Sequence, residues 1–167
     1  MPSLYVLRHA KSSWDDPALA DAERPLAPRG RKAARRLGRH LSDEGIRPAL
    51  VLCSPAVRAR ETLARIGPAL AEVETLVERG LYGASASDLI ERLRAVPDDV
   101  PSVLVIGHNP ALQTLVVRLA RPGQLRDRAA VKLPTGALAT LELDGGWNAL
   151  TDGCAELAKL LLPRELA

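Results

Sequence analysis

A chain of 167 residues with 47% hydrophobic residues can bury a sizeable core, and the expectation is one domain spanning residues 1–167. Lys and Arg total 23 against 20 acidic residues, and this net charge of +3 permits an anionic substrate or an acidic partner while falling short of the concentrated basic face of a DNA binder. With no Phe, two Trp and two Tyr, an aromatic platform for single-stranded nucleic acid is excluded, and Leu, Val, Ile and Ala must pack the core.

Residues 3–11 open with an apolar run, read as a buried strand, and end in Arg8, His9 and Lys11. Residues 12–28 contain Trp14, Asp15, Asp16, Asp21 and three prolines, a mix that predicts a long ordered loop or a lid. From Arg29 to about Glu44, small and apolar residues recur at Ala34, Leu37, Gly38 and Leu41, predicting a helix whose Arg31, Arg35 and Arg39 form a solvated face. Residues 49–53 form a second apolar run. Ser54 and Pro55 then read as the cap and first position of a helix carrying Arg58, Arg60, Glu61 and Thr62. After Pro68, residues 73–77 make a weaker strand that delivers Glu78 to a Gly-rich loop, and a helix from Ser87 to about Val96 follows. Residues 102–106 are the clearest strand, running into Gly107, His108, Asn109 and Pro110, with a helix from about Ala111 to Ala120 behind them. Beyond Gly123 the alternation stops; residues 136–143 read as a strand, and residues 155–162 fit helix and strand equally. Four β, α units imply a three-layer α/β/α sandwich, with a mostly parallel sheet and helices on both faces.

Cys53 and Cys154 lie far apart, without companions at ligand spacing, so neither a disulfide framework nor a zinc site is expected. No metal or other cofactor is called for. The expected setting is cytoplasmic, with no signal peptide and no approach to the ~18 apolar residues of a membrane span.

Four strand exits place polar groups at one sheet edge: Arg8 and His9, Ser54 and Arg58, Glu78, and His108. Guanidinium forks match phosphate bidentately and a helix N-terminus adds free amides, so an oxyanion, phosphate above all, is the natural guest. Lys11, Ser12, Ser54 and Asn109 lie next to these groups and are candidate substrate contacts. Cys53 and Arg58 have four residues between them, one fewer than the loop of a Cys-based tyrosine phosphatase requires, and Cys53 is read as the buried end of its strand.

The runs Leu7-Arg8-His9-Ala10-Lys11-Ser12, Ser54-Pro55-Ala56-Val57-Arg58-Ala59-Arg60-Glu61-Thr62 and Gly107-His108-Asn109-Pro110 resemble the histidine phosphatase superfamily, whose members share the phosphoglycerate mutase-like fold. Ala10 after the first His, Arg24-Pro25-Leu26, Arg29-Gly30, Leu81-Tyr82 and the closing Pro163-Arg164-Glu165-Leu166 look like the small SixA-like phosphohistidine phosphatases. The resemblance implies that His9 attacks phosphorus and is transiently phosphorylated, while Arg8, Arg58 and His108 hold the equatorial oxygens. It also implies a general acid after the third strand, for which Glu78 is the nearest candidate and Asp88 the next. The implied partner is a phosphorylated protein, with phosphohistidine as the group removed. The alternatives are a phosphomonoesterase for small esters and a phosphoprotein-binding module without catalysis. Neither nucleic acid nor membrane is an expected partner.

Overall fold

The computed structural model describes residues 1–166. Its six strands are β1 (Ser3–Arg8), β2 (Leu50–Cys53), β3 (Glu74–Val77), β4 (Ser102–Gly107), β5 (Leu138–Leu143) and β6 (Ala155–Leu161). They form one sheet in the order β3-β2-β4-β1-β5-β6, in which the first four strands are mutually parallel and β5 and β6 run antiparallel. The central strands β2 and β4 are apolar along their length because helices cover both faces.

Alternation of side chains along the strands sorts the core into two layers. On one face Val6, Leu52, Val103 and Val105 pack against α3 (Ala86–Arg94) and α4 (Ala111–Leu119) through Leu89, Leu93, Leu112 and Leu115. On the other, Leu7, Val51, Leu104 and Ile106 meet α1 (Pro28–Asp43) and α2 (Val57–Ile66) through Leu37, Leu41, Ala59 and Ile66. Each such Val, Leu or Ile side chain taken out of water contributes about 1.5–3 kcal/mol before the entropy of ordering it. Helices α1 and α2 carry the chain outward from β1 to β3, and α3 returns it to β4 on the opposite face. Reversing direction and face together keeps one crossover hand, and it leaves a crevice beyond the adjacent carboxyl ends of β2, β4 and β1.

Two local expectations are corrected and one open choice is resolved. Helix α2 starts at Val57 with Ala56 as its N-cap, so Pro55 is not the first helical residue and Ser54 is not the cap. The Ser54 hydroxyl is used elsewhere, as described below. A fifth helix, α5 (Gln124–Val131), occupies the stretch where no helix was expected; only Ala129 is buried in it, so it carries almost no periodic apolar signal. Residues 155–161, ambiguous by pattern, are a strand because β5 offers an edge to pair with, and a register shift between Thr140 and Leu141 blurs their alternation.

The long loop is zipped at its base. Ser12 and Leu26 form an antiparallel bridge, Ala27 N–H donates to Lys11 O at 2.9 Å, and Leu26 N–H donates to the Glu61 carboxylate at 2.9 Å. Its buried Arg24 stacks on the exposed Trp14, 3.3 Å from the ring centroid. Gly30 in α1 makes this closure possible, since a Cβ there would lie 2.1 Å from Lys11 O.

Candidate active site

His9 follows β1 directly and is buried, 6% exposed. Its Nδ1 lies 2.7 Å from the carbonyl oxygen of Ala10. A carbonyl can only accept, so Nδ1 carries the proton and Nε2 keeps its lone pair. That lone pair faces Arg58, whose Nε–H donates to it at 3.3 Å. Burial, reinforced by His108, Arg58 and Arg8 and opposed by the Ala10 hydrogen bond, pushes the His9 pKa down to about 3. The imidazole is therefore neutral near pH 7.

On the adjacent strand, His108 leaves β4 with its ring centroid 5.2 Å from that of His9. Burial, with Arg58 as the strongest adverse charge, lowers its pKa to about 4. Its Nε2 lies 2.7 Å from Ser54 Oγ, which also accepts from Ala56 N–H at 3.2 Å. Ser54 therefore orients His108 instead of opening onto the crevice. In both imidazoles the folded pKa lies below the unfolded value near ~6.5. Their contribution to stability is complete above that pH and is lost as pH falls towards the folded values.

Arg58 sits in the first turn of α2 and is 7% exposed. Its two terminal nitrogens are taken by Asp21, Nη1 on the backbone oxygen at 2.7 Å and Nη2 on Oδ2 at 3.0 Å, which aims the Nε edge at His9. Asp21 is also held by Tyr82 Oη at 2.6 Å and by Arg24 Nη1 at 3.0 Å. The Tyr82 hydrogen bond above all, with Arg58 and Arg24, holds its carboxyl well below the usual carboxylate range. Arg8 donates from Nη1 to Leu133 O at 3.0 Å, and Gly136 N–H donates to the carbonyls of Arg8 and His9 at 3.0 and 2.9 Å. Gly136 has φ of +78°, a conformation glycine adopts without strain.

Arg8, His9, Ser54, Arg58 and His108 thus come together. Glu78 stands apart, in a two-pronged ion pair with Arg92 at 2.7 and 2.9 Å, and the charges that shift the two imidazoles do not include it. Asp88 closes the capping box of α3 with Ser85. Lys11 is exposed, and Ser12 Oγ takes a close hydrogen bond from Arg24 Nη2. Asn109 shares Leu133 O with Arg8, donating to it at 2.9 Å. Cys53 is fully buried and burial raises its thiol to about 12, so it stays protonated.

Sequence reasoning missed Tyr82 as a partner of Asp21, and Thr62. The Thr62 hydroxyl donates to Arg58 O at 2.7 Å and accepts from Ala10 N–H at 3.0 Å, coupling α2 to the loop of His9. Its position one helical turn after Arg58 was the available signal. Nothing local marks the Asp21–Tyr82 contact, which spans 61 residues.

Arg8 Nε and His108 Nδ1 are buried without a partner among the described residues. Unpaired buried nitrogens are costly, ~1–3 kcal/mol each, and an oxyanion accepting from the donors here would offset that cost. Two guanidinium groups and two neutral imidazoles with one ionised carboxylate make a site for a phosphate-like anion. Among the described residues, no group of three or more His, Cys, Asp or Glu could hold a metal ion, and no helix is long and apolar enough to cross a membrane.

An oxyanion site built on a strand-exit Arg-His pair, in an α/β/α sandwich of this order, defines a phosphoryl-transfer class. The chain belongs to the histidine phosphatase superfamily and is SixA-like; the model of branch 1 of that superfamily matches residues 4–86. Across 162 residues it is 38% identical to an uncharacterised protein of Mycobacterium tuberculosis, covering 95% of this chain and 100% of that one. It is 31% identical over 149 residues to phosphohistidine phosphatase SixA of Escherichia coli, covering 87% and 88% of the two chains. The solved structure of the protein histidine phosphatase SixA complexed with tungstate superposes with a TM-score of 0.80 at 27% identity, over 98% of each chain. Family and neighbours together support phosphatase activity.

Proposed function

We propose that this protein is a phosphohistidine phosphatase that acts on phosphorylated proteins through a phosphohistidine formed on His9. The observation that carries the proposal is the neutral His9, its proton pinned on Nδ1 by Ala10 O and its Nε2 lone pair aimed into a cluster of Arg8, Arg58 and His108. Phosphoryl transfer asks chiefly for positioning and charge compensation, and this arrangement supplies both. That the similar SixA structure is a complex with tungstate, an oxyanion of phosphate-like charge, supports an oxyanion as the ligand here.

In the first step His9 Nε2 bonds to phosphorus as the bond from phosphorus to the leaving nitrogen breaks. An N-phosphoimidazolium substrate carries a proton on its other ring nitrogen, so it departs as neutral imidazole and needs no acid from the enzyme. In the second step water attacks phosphorus, its proton ends on phosphate, and His9 leaves with Nδ1–H still on Ala10 O. Keeping that proton makes the phosphorylated imidazole a good leaving group. Arg8, Arg58 and His108 hold the equatorial oxygens throughout, and Arg58 Nε passes from His9 Nε2 to phosphate.

An alkyl phosphate is different, because its alkoxide must be protonated as it leaves. Asp21 is held ionised by Tyr82 and two arginines, and Glu78 is committed to Arg92. Neither is a ready donor, and this favours a P–N substrate. The test is a panel of a histidine-phosphorylated carrier protein, p-nitrophenyl phosphate and a sugar phosphate. The first two, with good leaving groups, should turn over, and the sugar phosphate should trail in kcat/KM by about 10²-fold or more, the usual value of general acid catalysis. Comparable turnover of the sugar phosphate would contradict the phosphohistidine reading.

A further inference from the structure

Beside the His9 loop a groove of about 630 Å³ runs between the start of α1, the end of α5 and β6. Five cations line it, Lys11, Arg29, Arg128, Lys132 and Arg164, and no carboxylate does. All five are exposed, and none forms an ion pair with a described acid. Glu165, the acid next to Arg164, turns its carboxylate onto Leu162 N–H at 2.9 Å. The floor and wall are apolar, with Leu160, Leu162, Pro163 and Val131, the last 86% exposed. Pro134 and Thr135 end the groove one residue from Gly136, whose N–H holds the carbonyls of Arg8 and His9.

We propose that this groove docks an acidic, partly aliphatic segment of the phosphorylated protein substrate, next to the phosphorylated residue. The proposal rests on the phosphohistidine reading above and adds to it the means of choosing a protein. Charge complementarity carries it: five exposed cations, none paired with a described acid, over an apolar floor match carboxylates flanking an aliphatic side chain. Their exposure suits steering and register more than chelation of a small anion. The cleft on the other flank, between α3 and α4, offers no comparable charge, since its Arg118 is paired with Asp152 and Ser87.

Two synthetic phosphohistidine peptides, identical except that Glu residues in one replace Gln in the other, test this at low and high salt. The Glu-flanked peptide should have about tenfold higher kcat/KM at low salt, with the advantage shrinking as salt rises. The R128E/K132E variant should erase the preference and leave p-nitrophenyl phosphate turnover unchanged. Equal kcat/KM for the two peptides in the wild type, or a preference that survives in R128E/K132E, overturns the groove and leaves the phosphohistidine reading standing. If neither peptide is dephosphorylated while p-nitrophenyl phosphate is, the phosphohistidine reading falls, and binding of the unphosphorylated Glu-flanked peptide decides the groove. Salt-sensitive binding lost in R128E/K132E supports it, and its absence overturns it.

Discussion

The parallel half of the sheet and its antiparallel half both give buried side chains to the core and are chemically unlike. Strands β1, β2 and β4 end side by side, and each exit serves the crevice: Arg8 and His9 after β1, Arg58 after β2 with Ser54 behind it orienting His108, and His108 after β4. Strands β5 and β6 deliver no catalytic candidate. Their connections instead supply supports, Leu133 O for Arg8 and Gly136 N–H for the backbone of Arg8 and His9, together with most of the basic groove. Parallel strands bring their carboxyl ends to one edge, where a ligand can meet several at once, whereas antiparallel strands split theirs between two edges. The chemistry follows from that difference.

Substitutions on the two sides should separate accordingly. Arg58→Ala removes the guanidinium whose Nε edge faces His9, and steady-state kinetics with p-nitrophenyl phosphate should show a loss of about 10²-fold or more in kcat/KM. A loss below about threefold would place the site elsewhere. Leu141→Ala in β5, at a fully buried position, should cost about 2–5 kcal/mol in denaturant unfolding while the folded protein keeps its kcat/KM. If activity fell in step with stability, the division between the halves would be wrong. The smallest effect is expected for Glu78→Gln, which breaks the pair with Arg92 away from the imidazoles and should change kcat/KM by less than about threefold. A drop of 10²-fold or more on alkyl phosphates alone would restore Glu78 as a general acid.

The same division governs what was legible in the sequence. In the parallel half each strand is an apolar run ended by charged or imidazole groups, so both the strand and its cargo can be read along the chain. Glu78 also follows a strand exit, and the family resemblance made it the nearest candidate acid; its partner Arg92 lies one helix later, and no local pattern announces that pairing. Ser54 read as a helix cap because Ser-Pro is a frequent start, yet the adjacent imidazole of His108 claims its hydroxyl. From sequence Asp21 could pair with Arg24 or Arg29 within the loop; the structure has Arg24, and the hold of Asp21 on Arg58 and Tyr82 depends on how the long loop folds back. The antiparallel half was least legible: α5 has little apolar periodicity, and β6 is a strand only because β5 is there to pair with it.

The central claim is that His9 carries the phosphoryl group, and rapid acid or alkaline quench of the enzyme during turnover of a labelled phosphohistidine substrate tests it most directly. The account predicts a phosphoenzyme that is stable to base and labile to acid, maps to His9, and is absent from His9→Ala, a variant that keeps its fold by circular dichroism. A turning-over enzyme with no label, or with a base-labile acyl phosphate on Asp21 or a thiophosphate on Cys53, would contradict it.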